Sequence, residues 1–386
     1  MIVGFSSSIH KKYEGSTFQL LAETVSKALD MATVDLKDID GLFYTVLPGV
    51  FDGKASLHFS SFQIPSFLGI RPKVIELVEY GGPSALTMVY RAEKLIEAGE
   101  IDTALCVVGG KASFLRENKV TVDAVDRFLG SVQLTPYDDL FRVYQDLNPV
   151  SDYALVAKRH SKLFGTSDEQ RALIAVMQRK NALGNERAMY RTPLTVKDVL
   201  ESRVVSDPLR LLEIVYPVDG FHVFVVSKHQ RKSDVRPLKV EFYGESHWSE
   251  MPPELPDIVY TPAVESSKGV NLERIDAFQL YDSFTITVML QMEDIGLTKK
   301  GKGGEFVERT DITYQGEVPV NTGGGSLNVG QPAFMSGGVI LEEAILQLNN
   351  MATNHQVKDV NRVLINGIGG WNRGHSVTMV LGEGNV

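Results

Sequence analysis

The chain repeats itself in outline, and that repeat limits the folds open to it more than any other feature. Lys37-Asp38-Ile39-Asp40-Gly41-Leu42-Phe43 is echoed by Glu273-Arg274-Ile275-Asp276-Ala277-Phe278-Gln279. Each runs from a charged pair through Ile-Asp into a short apolar segment. Val78-Glu79-Tyr80-Gly81-Gly82 precedes a helical pattern, as Val320-Asn321-Thr322-Gly323-Gly324 does later. The segment 102–110 ends in Val-Val-Gly-Gly, and its counterpart is 362–370, which ends in Gly-Ile-Gly-Gly. Each half then reads strand, helix, strand, Gly-rich turn, helix, strand, an alternation that predicts layered α/β architecture. A chain of 386 residues exceeds one ordinary core. The expected units are 1–234, with a less regular region at about 111–205, and 235–386.

Apolar spacing predicts helices over Thr17 to Met31, Ser84 to Ala98 and Val339 to Leu348, with Gly99 as a C-terminal cap. A further helix is expected from about Asp152 to Lys162. Thr166-Ser167-Asp168-Glu169 offers capping residues for the next one. Met1-Ile2-Val3-Gly4-Phe5 lacks the basic region of a signal peptide and reads as a first strand.

The segment 320–338 holds three consecutive glycines, a Gly330-Gln331-Pro332 and a Gly337-Gly338 just ahead of a helix. Glycines permit positive φ and let a backbone N–H approach a ligand closely. Composition removes several alternatives. A formal charge of -9 argues against nonspecific nucleic-acid binding. With 43% hydrophobic and 23% charged residues the chain reads as soluble and globular, and no apolar run reaches the roughly 18 residues of a membrane span. A single cysteine excludes an intrachain disulfide and a Cys-rich zinc site, and makes a reducing, cytoplasmic setting the default. That residue, Cys106, sits in an apolar strand pattern and reads as a small core hydrophobe. No His/Glu/Asp set has metal-ligand spacing, so no metal is expected.

Several stretches together resemble the sterol-carrier-protein type of thiolase and its bacterial and archaeal relatives. They are Gly165-Thr166-Ser167-Asp168-Glu169-Gln170, Asn181-Ala182-Leu183-Gly184-Asn185, Pro193 to Leu200, Asp207-Pro208-Leu209-Arg210-Leu211-Leu212 and Pro217-Val218-Asp219-Gly220. Later come Tyr281-Asp282-Ser283-Phe284-Thr285, Glu293-Asp294-Ile295-Gly296, the Gly323 loop and Asn366-Gly367-Ile368-Gly369-Gly370. The resemblance implies the duplicated, five-layered α-β-α-β-α thiolase fold, usually dimeric, acting on coenzyme A thioesters with no covalently bound cofactor.

The chemistry of that family is altered here. Its nucleophile motif reads like Val-Glu-x-x-Cys-Ala-Ser-Gly, against Val78-Glu79-Tyr80-Gly81-Gly82-Pro83-Ser84-Ala85, so Gly82 takes the nucleophile's place. No Cys stands near 365–367, and the family's loop His is Gln331. Ser84 is expected to cap its helix rather than replace the nucleophile. The Cys-less branch of the family, similar to this chain at Tyr80-Gly81-Gly82 and Tyr281-Asp282, includes steroid side-chain aldolases in which Tyr residues transfer protons. Those enzymes pair with a small zinc-ribbon/OB-fold protein. The resemblance nominates Tyr281 as catalytic, with Gln331 at the loop position of the family's His, and Tyr80, Gly82, Asp282, Gly324, Gly325, Gly369 and Gly370 as substrate-binding. His375, after the last Gly-rich turn, is read as a catalytic proton carrier or a structural His, and Asn366 as a substrate-binding hydrogen-bond donor or a tight-turn residue. Asp282 would orient Tyr281 or cap a turn, and the Gly-rich loops would cradle a thioester enolate. Retro-aldol cleavage beside a CoA thioester leads. An acetyl-CoA acetyltransferase-like acyltransferase completed by a partner subunit, and a non-catalytic scaffold or acyl-CoA-binding subunit, stay open; other thiolase-pathway subunits are further candidate partners. The stretch 111–148 is expected to shape substrate choice.

Overall fold

A computed structural model describes residues 1–45, 60–113, 149–229, 235–248, 254–255, 257–333, 337–370 and 373–383. The 111–148 specificity region beyond Ser113, with Pro136-Tyr137-Asp138-Asp139, lies outside the described residues, as do Phe334 to Ser336, Trp371 and Asn372. The strands are β1 (Ile2–His10), β2 (Gly41–Tyr44), β3 (Val74–Leu77), β4 (Thr103–Lys111), β5 (Val204–Ser206), β6 (Leu209–Arg210), β7 (Pro217–Ser227), β8 (Leu238–His247), β9 (Ala277–Leu280), β10 (Gln331–Pro332), β11 (Arg362–Gly369) and β12 (His375–Glu383). The helices are α1 (Thr17–Ala32), α2 (Ser60–Leu68), α3 (Ser84–Glu97), α4 (Pro149–Phe164), α5 (Asp168–Ala182), α6 (Val196–Glu201), α7 (Ala263–Ser266), α8 (Thr285–Asp294), α9 (Gly303–Arg309), α10 (Gly325–Val329) and α11 (Gly337–Leu348).

The two halves are built by the same chemistry. Strand order is β3-β2-β4-β7-β1 in the first and β8-β12-β11-β9 in the second, joined at Ile2 opposite Leu238. In each half a four-residue strand pairs in parallel with a longer one, β2 with β4 and β9 with β11. The longer strand then pairs antiparallel with the next, β4 with β7 and β11 with β12. The echoed Ile-Asp explains why. Asp40 Oδ1 accepts the amides of Asp102 and Thr103 at 2.9 Å each and so tethers the start of β4. Asp276 Oδ2 accepts the amides of Asn361 and Arg362 at 2.8 and 2.9 Å and tethers β11 in the same way. Val320 bridges Phe278 in parallel, standing where β3 stands against β2.

α1 and α2 cover one face of the first-half strands through Leu20, Leu21, Val25, Ile64 and Leu68. The other face, with Cys106, Phe224 and Val226, meets α3 and α11 in the large central core shared with β9, β11 and β12. α7 packs on β8 and β12 and touches α8. The result is the layered, duplicated thiolase arrangement. The region after 149 is more regular than its sequence suggested: α4 and α5 are full helices, and Ser167 caps α5 in a box with Gln170. α11 begins two residues earlier than its apolar pattern indicates, at Gly337.

Candidate active site

The Gly323 loop is held from below by one face of α5. Gln178, Asn181 and Asn185 are spaced three and four apart, so they share a helix face. Asn181 Nδ2 donates to the carbonyls of Val320 and Asn321 at 3.0 Å each, and Asn185 Nδ2 to that of Gly323 at 2.9 Å. Gln178 Nε2 donates to Asp282 Oδ2 at 2.7 Å. The Asp282 carboxylate also accepts the amides of Ser326 (2.9 Å) and Leu327 (3.0 Å), which fixes the start of α10. Burial pushes this carboxyl above the ordinary aspartate value, more than the donors from Leu327, Ser326 and Gln178 lower it. Gly324 and Gly325 are required here: both have positive φ, +94 and +62, and a Cβ on Gly325 would lie 2.1 Å from Asp282 Oδ2. The Ser326 and Leu327 amides of this Gly-rich loop are thus committed to Asp282 and are not free to donate to a ligand.

Tyr281 follows β9 directly. Its amide donates to the Asn366 carbonyl at 3.0 Å and to Gln291 Oε1 at 3.1 Å, and its carbonyl accepts Gln291 Nε2 at 2.6 Å. With its backbone clamped at both ends, the ring packs close against Gly82. A Cβ at Gly82 would come within 2.4 Å of Tyr281 Cδ2 and 2.4 Å of the Ile368 carbonyl oxygen. The phenol thus fills the space that a nucleophilic side chain at 82 would need. Ser283 Oγ lies 2.5 Å from the Tyr281 hydroxyl and 2.6 Å from Gln331 Oε1. Ser283 has one hydroxyl proton and Gln331 Oε1 can only accept. Ser283 therefore donates to Gln331 and receives from Tyr281. Gln331 itself is placed by β10, whose amide donates to Tyr216 O at 2.9 Å beside β7. All three side chains are buried, at 7%, 3% and 8% exposure for Tyr281, Ser283 and Gln331. Sequence reading passed over Ser283. The signal was there in the spacing, since residues two apart leaving a strand point the same way.

The remaining nominees divide. Gly369 and Gly370 join the site through backbone: a Cβ on Gly369 would sit 2.4 Å from the Tyr80 carbonyl, and Gly81 abuts the Gly370 amide. A Cβ at Gly337 would lie 2.0 Å from the Gly82 carbonyl, so the starts of α3 and α11 meet at Gly82. The Asn366 side chain turns to β12, where Nδ2 donates to Thr378 Oγ1 at 2.8 Å; it lies inside a strand, not in a tight turn. Tyr80 and His375 form a separate cluster. The Tyr80 ring packs on the imidazoles of His247 and His375, with centroids 4.7 and 5.0 Å away, and its hydroxyl accepts Arg91 Nη2 at 3.0 Å. His247 and His375 meet Nδ1 to Nδ1 at 2.9 Å, and Glu245 holds His247 Nε2 at 2.9 Å. Burial and the neighbouring His247 hold the His375 value below an ordinary histidine, against the pull of Glu245.

Two further placements bear on nucleophiles. Ser84 does not occupy the N-cap position; Pro83 does, and Ser84 Oγ accepts the Tyr80 amide at 2.9 Å to close the turn. Cys106 is fully buried in β4, and burial followed by Glu76 pushes its thiol far above the ordinary range. Among the described residues no group of three or more His, Cys, Asp or Glu is placed to hold a metal ion. No helix among them is long and apolar enough to cross a membrane.

Residues 244–383 match the family described as thiolase C-terminal domain-like. Over 380 residues the chain is 27% identical to a 17-hydroxy-3-oxo-4-pregnene-20-carboxyl-CoA lyase of Mycobacterium tuberculosis, covering 94% of this chain and 95% of that one. It is 26% identical over 386 residues to a steroid side-chain-cleaving aldolase of Thermomonospora curvata, covering 94% and 93%. Its fold superposes on a solved Ltp2-ChsH2(DUF35) aldolase with a TM-score of 0.83 at 23% identity, covering 99% of this chain and 97% of that one. In fold and in sequence the chain is similar to thiolase-superfamily proteins, sterol carrier protein 2 of Bos taurus among them at 25% identity over 304 residues, 73% of this chain and 54% of that one. The relatives it resembles include lyases and aldolases, and the Tyr281 ring adjoins Gly82 at the turn before α3.

Proposed function

We propose that this chain cleaves, by a retro-aldol step, the bond between the α- and β-carbons of a β-hydroxyacyl-CoA. The observation that carries this reading is the Tyr281 ring lying where a nucleophile at Gly82 would stand. Acyl transfer through a cysteinyl intermediate has no thiol to use, because the one cysteine is buried in β4. Retro-aldol cleavage needs no covalent intermediate. The β-hydroxyl loses its proton, the α–β bond breaks, a ketone or aldehyde forms, and the electron pair moves into the thioester enolate. The enolate then gains a proton at its α-carbon. One neutral phenol balances this sequence if Tyr281 takes the β-hydroxyl proton while passing its own to the α-carbon, so no phenolate is needed near neutral pH. Ser283 and Gln331 hold the hydroxyl on one side between turnovers. The Gly82 amide, at the positive end of α3, has no partner among the described residues and is the proposed donor to the enolate oxygen.

The names of the relatives support an acyl-CoA with a bulky, sterol-like β-substituent as the substrate class. A small zinc-ribbon/OB-fold subunit is the proposed partner, by likeness to an aldolase whose printed name pairs Ltp2 with ChsH2(DUF35). A homodimer in the reducing cytoplasm completes the reading. Among the described residues β3 ends the sheet unpaired on one side, with Ile75 and Leu77 at 38% and 52% exposure, the kind of edge a second copy would cover. The test is incubation of the purified chain, alone and co-expressed with such a partner, with steroid-derived and simple β-hydroxyacyl-CoAs. Release of equal amounts of carbonyl product and shortened acyl-CoA is expected. No release from any substrate with the partner present would overturn the reading.

A further inference from the structure

A second phenol stands near Tyr281, brought there by α4. Tyr153 lies near the start of that helix and is 7% exposed. Its ring stacks on Phe284, three residues beyond Tyr281, with centroids 4.4 Å apart and planes at 29°. The Arg373 guanidinium lies 5.3 Å from the Tyr153 ring centroid, over its face. Arg373 is itself 3% exposed, and its Nη1 donates to Asp152 Oδ2 at 2.6 Å. Two features of this group are unexplained by packing. Arg373 Nε is buried with no hydrogen-bond partner, and the residue holds φ +60, a left-handed backbone that side chains other than glycine seldom adopt. The Tyr153 hydroxyl also makes no hydrogen bond among the described residues, and its oxygen is not one of the sealed, unpaired polar atoms, so it keeps access to solvent or to a ligand.

We infer that Tyr153 donates its hydroxyl hydrogen bond to the thioester carbonyl oxygen of bound acyl-CoA, with Arg373 behind its ring as a fixed positive charge. The inference rests on the acyl-CoA reading above and adds a residue to it. Tyr153 keeps its proton throughout. Burial, and after it the neighbouring Tyr281 phenol, push Tyr153 well above the ordinary tyrosine range, so it is a hydroxyl donor and not a base. Arg373 pulls the other way, which makes the same hydroxyl a stronger donor. The two phenols then divide the work. Tyr281 handles the β-hydroxyl and α-carbon protons, and Tyr153 stabilises the oxygen on which charge gathers. Such a preorganised donor in a water-poor site is worth about 10²–10³ in rate.

Two measurements on Tyr153→Phe test this. The first uses an unreactive acyl-CoA without a β-hydroxyl, labelled with ¹³C at the thioester carbonyl, and reads its infrared stretch when bound. In the unsubstituted chain the stretch moves to lower frequency on binding, and in Tyr153→Phe that shift is lost while the dissociation constant changes little. An identical bound frequency in the two chains would overturn the inference, even if retro-aldol activity is never found. The second compares cleavage rates: kcat is expected to fall about 10²–10³-fold with KM nearly unchanged. Arg373→Lys, which keeps a charge without the planar stack, is expected to show an intermediate frequency. If the unsubstituted chain binds no acyl-CoA at all, both this inference and the proposed function fail. If it binds and shifts the carbonyl but does not cleave, only the proposed function fails.

Discussion

Substituting Gly82 by alanine asks whether the phenol truly occupies the nucleophile's space. The new Cβ would meet two neighbours at 2.4 Å each, the Tyr281 ring and the Ile368 carbonyl. Forcing one methyl into a packed interior costs about 1–3 kcal/mol, and two contacts this short, one with backbone that cannot swing aside, put Gly82→Ala near the upper end. Loss of glycine's freedom in the unfolded chain returns about 0.4–1 kcal/mol, leaving a net destabilisation of about 2 kcal/mol. Tyr281→Ala alone removes a buried aromatic and should cost about 3 kcal/mol. If the ring and the new methyl compete for one space, the double substitution recovers the ring's share of the clash. It should then be less destabilised than the sum by about 1–1.5 kcal/mol, the remainder being the Ile368 contact. Urea unfolding of the four proteins measures this coupling. Additivity within about 0.5 kcal/mol would refute the reasoning, because it would mean that Gly82 and Tyr281 do not share the space.

Two more outcomes follow from the same geometry. Ser283→Ala leaves the Tyr281 hydroxyl and the Gln331 amide facing each other without their bridge; steady-state kinetics should show cleavage falling about 10–100-fold at a stability cost of about 1–2 kcal/mol, with Ser283→Thr restoring most of it. His375, packed against His247, Tyr80 and, through them, Glu245 and Arg91, binds its proton more weakly folded than unfolded. The unfolded chain therefore takes up more protons as pH falls through about 6.5, and stability should decline there; unfolding midpoints against pH should flatten in His375→Asn.

Much of the scaffold was legible because it is written in local, repeated chemistry. The Ile-Asp echo located two equivalent tethers, Asp40 to β4 and Asp276 to β11, and Ser167 announced its own capping box. The glycines of the 323–325 run marked real close approaches to Glu343, Ala182 and Asp282. What stayed hidden depends on side chains that meet across the fold. Nothing local ties Tyr153 to Phe284, or Gln178, Asn181 and Asn185 to a loop some 140 residues away. Motif position also does not give side-chain direction. Tyr80 adjoins the vacated nucleophile in sequence, yet its ring enters the His247–His375 cluster.

The departures from thiol chemistry are physically interdependent, which bears on how they could be undone. A side chain at 82 and a phenol at 281 exclude each other at 2.4 Å, so restoring a cysteine requires removing the ring. Removing the ring strands Ser283, whose proton is committed to Gln331 and whose oxygen receives Tyr281. Gln331 in turn accepts from Ser283 and cannot carry a proton as a histidine would. Gly82→Cys alone should therefore yield a destabilised chain without an acyl-enzyme adduct. A thiol-competent site would require positions 82, 281 and 331 to change together, while the Asp282 and α5 contacts that hold the loop could remain as they are.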